Sequence, residues 1–163
     1  MSGRVDSIHI APIESAPMQP LAVVRAVAGV GLEGDRYALG VGRYSGAGGD
    51  GRHVTLIESE VLADLAAAGM ALPAGASRRN LTTSGIGLND LVGRRFRIGA
   101  VECVGVRLCE PCAYVQGLVG QPVLQPLVHR GGLRADIVVG GDIHAGDLIE
   151  DLGPAEPARA SGD

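Results

Sequence analysis

The sequence predicts a mainly β protein, a β-rich α+β fold whose strands close into a β-barrel with a few short peripheral helices. Three observations carry that prediction. Glycine is abundant, 26 of 163 residues, and it punctuates short segments rich in aliphatic and β-branched side chains. Only one stretch has the composition and length of a clear helix. The predicted strands do not alternate with helices as the strands of a layered parallel sheet would.

The elements follow in order along the chain. Val5–Ala11 and Leu21–Val27 read as strands, separated by a turn containing Pro12, Pro17 and Pro20. Gly29–Tyr37 is loop-like, and Gly42–Gly51 is a glycine-rich loop. His53–Ile57 is a strand. Thr55-Leu56-Ile57-Glu58 matches a capping box that opens the alanine-rich helix Glu58–Ala68, which stops at Gly69. Asn80–Thr83 reads as a short strand, and Phe96–Ile98 with Val101–Val106 as a hairpin turning at Gly99-Ala100. One or two short helices are expected between Pro111 and Arg130, then strands at Leu133–Val139 and Ile143–Ile149. From Gly153 onward the composition is that of a disordered tail, residues 153–163, which leaves one domain over 1–152.

Composition sets limits on function. A chain of 163 residues can bury roughly 68–70% of its unfolded surface as one domain. Hydrophobic residues make up 46% of it but aromatics only 2%, so the core must be aliphatic. No run of apolar residues is long enough to span a membrane. The first residues lack the apolar centre of a secretion signal, and three cysteines do not suggest a disulfide framework, so a reducing cytoplasm is the expected compartment. The net charge of -4 argues against general nucleic-acid binding. All fourteen basic residues are arginine. Without lysine the chain can form no Schiff base with pyridoxal phosphate, so no covalently bound pyridoxal phosphate is expected. A Walker-type P-loop is excluded for the same reason. Any anion must be held by arginine, backbone amides or helix ends.

The chemistry concentrates at Cys109-Glu110-Pro111-Cys112, where a predicted strand gives way to a predicted helix. A thiol at a helix start meets unpaired backbone N–H groups and the positive end of the helix dipole, and both favour thiolate. Pro111 suits the first helical position because its missing N–H would have had no partner there. The spacing fits a dithiol redox pair, half of a zinc site completed by His129 and His144, or one working thiolate at Cys112. Two inert buried thiols fit as well. Cys103 falls in the strand alternation as a core residue, and His9 and His144 sit in strand contexts that suit structural roles.

Three loops present arginine. Arg78-Arg79-Asn80 combines two guanidiniums with an amide and suits a phosphate, although a solvated basic turn would look the same. His129-Arg130-Gly131-Gly132 sets an arginine beside backbone amides freed by two glycines. Gly34-Asp35-Arg36-Tyr37 is the third, and His53 follows Arg52 at the end of the glycine-rich loop. Three such loops in a net-acidic chain, together with a helix-start thiol, suggest an anionic ligand presented to a thiolate.

Taken in order, several blocks resemble the MOSC domain, the C-terminal domain of molybdenum cofactor sulfurases, which also occurs as small stand-alone proteins. The blocks are Gly31–Tyr37, His53–Glu60, Arg79–Ile86, Leu91–Gly99, Cys109–Cys112 and His129–Ala135 through Gly146-Asp147. The resemblance runs from about Val5 to Ile149. It implies a MOSC-type β-barrel and one family cysteine, which matches Cys112. In that family the thiol is proposed to carry sulfur from a pyridoxal-phosphate desulfurase domain or to coordinate molybdenum. Molybdenum cofactor (molybdopterin with its metal) has a dithiolene and a phosphate, so a soft thiolate and arginines suit it.

The family's arginine-asparagine motif matches Arg79 and Asn80, which the resemblance therefore places at the cofactor. Arg36, His53 and Arg130 lie in other matching blocks and carry the same expectation. Set beside the family, these 163 residues are expected to work without a desulfurase domain and without the extra N-terminal barrel of larger relatives that reduce N-hydroxylated compounds. Two activities are thus implied. One is reduction of an N-hydroxylated small molecule at molybdenum, with electrons from a separate donor protein. The other is sulfur carriage, with a persulfide on Cys112 received from a cysteine desulfurase and delivered to a metal cofactor. A dithiol oxidoreductase using Cys109 and Cys112 is the third reading.

Overall fold

A computed structural model describes residues 2–13, 15–40, 51–72, 75–109 and 129–155. The expected loop at 42–50, the expected helices after Pro111, Cys112 itself and residues 156–163 lie outside the described residues. In chain order the strands are β1 (Ser2–Ile10), β2 (Gln19–Leu21), β3 (Val23–Val27), β4 (Gly31–Leu32) and β5 (Val54–Glu58). Helix α1 (Ser59–Ala67) leads to β6 (Leu81–Ser84) and a 3-10 turn at Leu88–Leu91. The remaining strands are β7 (Arg94–Ile98), β8 (Val101–Leu108), β9 (Leu133–Val139), β10 (Gly141–His144) and β11 (Leu148–Pro154).

Seven strands in the order β11-β7-β8-β9-β5-β6-β1 form a barrel, closed where β1 pairs back onto β11. The closing register is Ser2 with Glu150, Gly3 with Ile149 and Arg4 with Leu148. Strand β2 extends the sheet at the other end of β1, and β10-β3-β4 form a second, three-stranded sheet. Pro20 is accommodated in β2 because that strand is an edge, where a missing N–H costs no ladder bond. Only β5 and β6 pair in parallel among the barrel strands, and α1 with the loop behind it supplies the crossover such a pair requires.

Alternation fills the barrel. Leu133, Ala135 and Ile137 of β9 point inward, as do Val101 and Cys103 of β8 and Phe96 and Ile98 of β7. With a single phenylalanine the interior is aliphatic, as composition requires. Helix α1 sits outside and buries Val61 and Leu65 against Ile57, one face of a short amphipathic helix. On the barrel exterior Arg94 pairs with Asp151, Arg95 with Glu102 and Arg97 with Glu150. Such exposed pairs contribute ~0–1 kcal/mol each.

Three local expectations need correction. The capping box does not form: Glu58 is the N-cap of α1 without a side-chain bond, and Thr55 lies inside β5 with its hydroxyl turned to Asn80. The strand expected at 143–149 is two strands, β10 and β11, divided at Gly146 (φ +95°), where Asp147 accepts the His144 N–H at 2.8 Å. Strand β11 also runs through Gly153 and Pro154, which pair with Arg95 and Arg94, beyond the boundary expected at 152.

Candidate functional site

The parallel contact between β5 and β6 brings Thr55 beside Asn80, and β1 lies on the far side of β6 with His9 next to Asn80. Asn80 joins all three segments. Its N–H donates to the Thr55 carbonyl at 3.0 Å, and its Oδ1 accepts from the Thr55 N–H at 3.1 Å. Its Nδ2 donates to the His9 carbonyl at 3.1 Å and to Asp35 Oδ1 at 3.4 Å. Both amide hydrogens and the amide oxygen are thus taken up by protein. A buried amide satisfied in this way acts as a fixed joint.

Asp35 is the centre of the neighbouring network and has no exposed surface. Its carboxylate accepts from the Ala11 N–H at 3.1 Å, the Tyr37 N–H at 3.3 Å and Arg36 Nη1 at 3.0 Å. The Arg36 guanidinium in turn donates to the Arg78 carbonyl at 3.4 Å and stacks on the Tyr37 ring at 4.8 Å. This buried pair meets the condition under which buried charge is tolerated, a partner plus hydrogen bonds for the remaining groups. Asp35 stands in a motif visible in the sequence, but its role became legible only with Ala11 and Asn80 beside it.

Arg79 is different. It is 5% exposed, and its three recorded side-chain bonds all run to carbonyls. Nε donates to Gly131 at 2.7 Å, Nη2 to Cys109 at 3.2 Å and Nη1 to Ser77 at 3.4 Å. Among the described residues no carboxylate pairs with it. The preceding residue, Arg78, holds a left-handed backbone (φ +65°), which turns the chain so that Arg79 points inward. His129, at the return of the cysteine segment, is also left-handed (φ +59°). Non-glycine residues in this region carry about 1–3 kcal/mol of strain and gather at functional sites.

The thiols divide. Cys103 is fully buried in the barrel, and desolvation pushes its thiol up to about 12, which makes it inert. Cys109, just past β8, is also fully buried, and its N–H donates to the Gly132 carbonyl at 2.7 Å. Cys112 follows three positions later in the sequence.

Two expected ligands point elsewhere. His53 Nδ1 accepts the Ile137 N–H at 2.9 Å and lies 3.6 Å from Asp136 Oδ1, which fixes its ring against β9. Arg130 reaches out to Asp64 on α1. The structure therefore joins Arg36 and Asn80 through Asp35 and sets Arg79 against the Cys109 carbonyl, while His53 and Arg130 are held by other partners. Among the described residues no three His, Cys, Asp or Glu side chains form a metal-binding group. His144 is exposed and faces Asp147 at 3.7 Å. A surface cavity of about 250 Å³ lined by Ser2, Arg4, Ser84 and Leu148 includes none of these residues. Among the described residues no helix is long and apolar enough to cross a membrane.

Solved structures share this architecture. The YuaD protein of Bacillus subtilis superposes with a TM-score of 0.78 at 15% identity, over 96% of this chain and 98% of that one. YiiM of Escherichia coli gives 0.69 at 19% identity, over 96% of this chain and 72% of that one. YiiM of Geobacillus stearothermophilus gives 0.69 at 16% identity, over 92% and 75%. At these identities the likeness concerns the fold. No curated protein matches the chain in sequence. The sequence profile of the MOSC domain matches residues 43–150, a range that takes in β5 through β10 and the start of β11, and by that match the chain belongs to the MOSC domain family.

Proposed function

We propose that the chain binds molybdenum cofactor with the Cys112 thiolate as metal ligand, and that it acts as a molybdenum-dependent reductase of N-hydroxylated small molecules. The observation that carries this reading is the Arg79 guanidinium: a buried cation that, among the described residues, bonds to carbonyls alone, against the main chain of Cys109. A buried charge without a counter-ion is costly by several kcal/mol, and an anionic group at the cysteine segment would offset that cost. The donor set suits the cofactor's chemistry, with guanidinium charge for a phosphate and a soft sulfur for the metal.

Within this reading Cys112 ligates the metal and Arg79 supplies positive charge toward the phosphate. Arg36 contributes less, because Asp35 already neutralises it at 3.0 Å. Asn80 acts by position, since its amide is fully engaged. His53 and Arg130 are engaged by Ile137 and by Asp64 and have no assigned contact in this reading. When bound, the cofactor supplies the redox change that cleaves the N–O bond, while a separate protein donates the electrons. The full burial of Cys109 supports one working thiolate over a dithiol pair.

The test is metal and pterin analysis of protein made in a cofactor-competent host and purified anaerobically. Wild type should contain molybdenum and Cys112→Ser should lose it. Metal-free wild type, under conditions that load a known molybdenum protein, would refute the proposal. Intact mass after incubation with a cysteine desulfurase and cysteine tests the carrier alternative: a gain of one sulfur atom, absent in Cys112→Ala, would favour carriage over reduction.

A further inference from the structure

Building on the reading that the segment between β8 and β9 carries the working thiol, we infer that Arg79 is a positioning residue that holds the base of that segment through its main chain. The segment departs at Cys109 and returns through Gly131 and Gly132 into β9. Arg79 grips both sides, Cys109 through Nη2 at 3.2 Å and Gly131 through Nε at 2.7 Å. The Cys109 N–H closes the same gap by donating to Gly132 at 2.7 Å. The third guanidinium bond, to Ser77 at 3.4 Å, ties this base to the loop before β6.

The fork is itself held. Asn80, the next residue, is bonded to β5, to β1 and to Asp35, so the Arg79 backbone has little freedom. A planar group with donors at fixed angles can meet three carbonyls at once. Lysine retains the charge but not that geometry. Each guanidinium nitrogen of Arg79 donates one N–H to a carbonyl, which ties Cys109 and Gly131 together, while Nη1 and Nη2 each keep a second N–H.

The native cysteines report on this directly. Cys103 and Cys109 are both fully buried, but Cys103 lies in the barrel core and Cys109 at the base of the segment. Site-resolved maleimide labelling of the folded full chain should leave both unmodified in wild type. In Arg79→Gln and in Arg79→Lys, Cys109 labelling should rise at least about tenfold while Cys103 stays protected, the pattern of a local opening.

Cys109 remaining protected in both variants would overturn the inference. So would a joint rise at Cys103 and Cys109, which reports global unfolding. An Arg79→Lys protein that labels like wild type would show that charge suffices without the fork. Molybdenum content decides the cofactor reading separately: a metal-free wild type would remove that reading and leave the Cys109 result standing.

Discussion

Replacing Gly132 with alanine probes the point where the cysteine segment rejoins the barrel. Gly132 has φ +105°, and an added Cβ would lie 1.9 Å from the Leu56 carbonyl oxygen and 2.9 Å from its carbon. Those atoms belong to the backbone of β5, which is paired on both sides, by β6 and by β9, and cannot yield cheaply. The left-handed backbone alone costs roughly 1–2 kcal/mol for a residue with a side chain. Forcing a methyl into filled space costs typically ~1–3 kcal/mol more. Gly132→Ala should therefore lose about 2–5 kcal/mol, a large part of the roughly 5–15 kcal/mol that holds a domain folded.

Two further variants separate the terms. Gly69 has φ +86° with open space around it, so Gly69→Ala isolates the backbone cost at about 1 kcal/mol. Gly105 has no left-handed φ, yet its Cβ would lie 2.0 Å from the Leu91 carbonyl oxygen, which isolates the clash. Urea unfolding of all three should rank Gly69→Ala mildest and Gly132→Ala most severe. A Gly132→Ala protein within about 0.5 kcal/mol of wild type, the range of an inconsequential surface change, would refute this account of the junction.

Other expectations follow from the same network. Asp35→Asn places an amide where four donors converge and leaves the buried Arg36 charge without its partner. A loss of about 3–5 kcal/mol in urea unfolding is expected, and a loss under 1 kcal/mol would contradict the buried-pair assignment. Burial holds His9 below its ordinary value of 6.5. Between that lowered value and 6.5 the unfolded chain binds more protons, so stability falls as pH drops below about 6.5 and levels off once the folded state also protonates. His9→Leu should flatten the difference in melting temperature between pH 7.5 and pH 5.5 (both chosen to bracket that window); an unchanged difference would rule His9 out as a source. Cys103, raised to about 12, should resist alkylation at pH 8 until denaturant is added. Rapid native labelling would place it outside the core. Cys103→Ser, which leaves a hydroxyl in an apolar interior, should cost about 1–3 kcal/mol by the same unfolding assay.

Much of the barrel was legible because strand alternation and glycine turns are local signals. Leu133–Val139 was read with the bounds the structure gives, and the Gly99-Ala100 turn joins Ile98 to Val101 as expected. What misled was long-range. Thr55 carries the signature of a helix cap, yet its hydroxyl bonds Asn80, a residue that sequence proximity does not connect to it. The site followed the same division. Arg79 and Asn80 were visible as a polar pair, but their partners are largely carbonyls, which every residue possesses and no motif marks. His53 entered the candidate set through the family resemblance alone, and its Nδ1 is engaged by a β9 amide that only the barrel brings near.

The seam between β1 and β11 has a kinetic meaning. Ser2 pairs with Glu150 across nearly the whole chain, so the barrel cannot close until its last strand is available. Contacts of such sequence separation must be made before they are rewarded, which slows folding and leaves the edges of β1 and β11 unpaired meanwhile. A nascent chain on the ribosome would hold β5 through β9 before the seam forms, and refolding from denaturant should be correspondingly slow. Cutting the chain before Leu148 would leave two open edges where the intact molecule has a continuous wall.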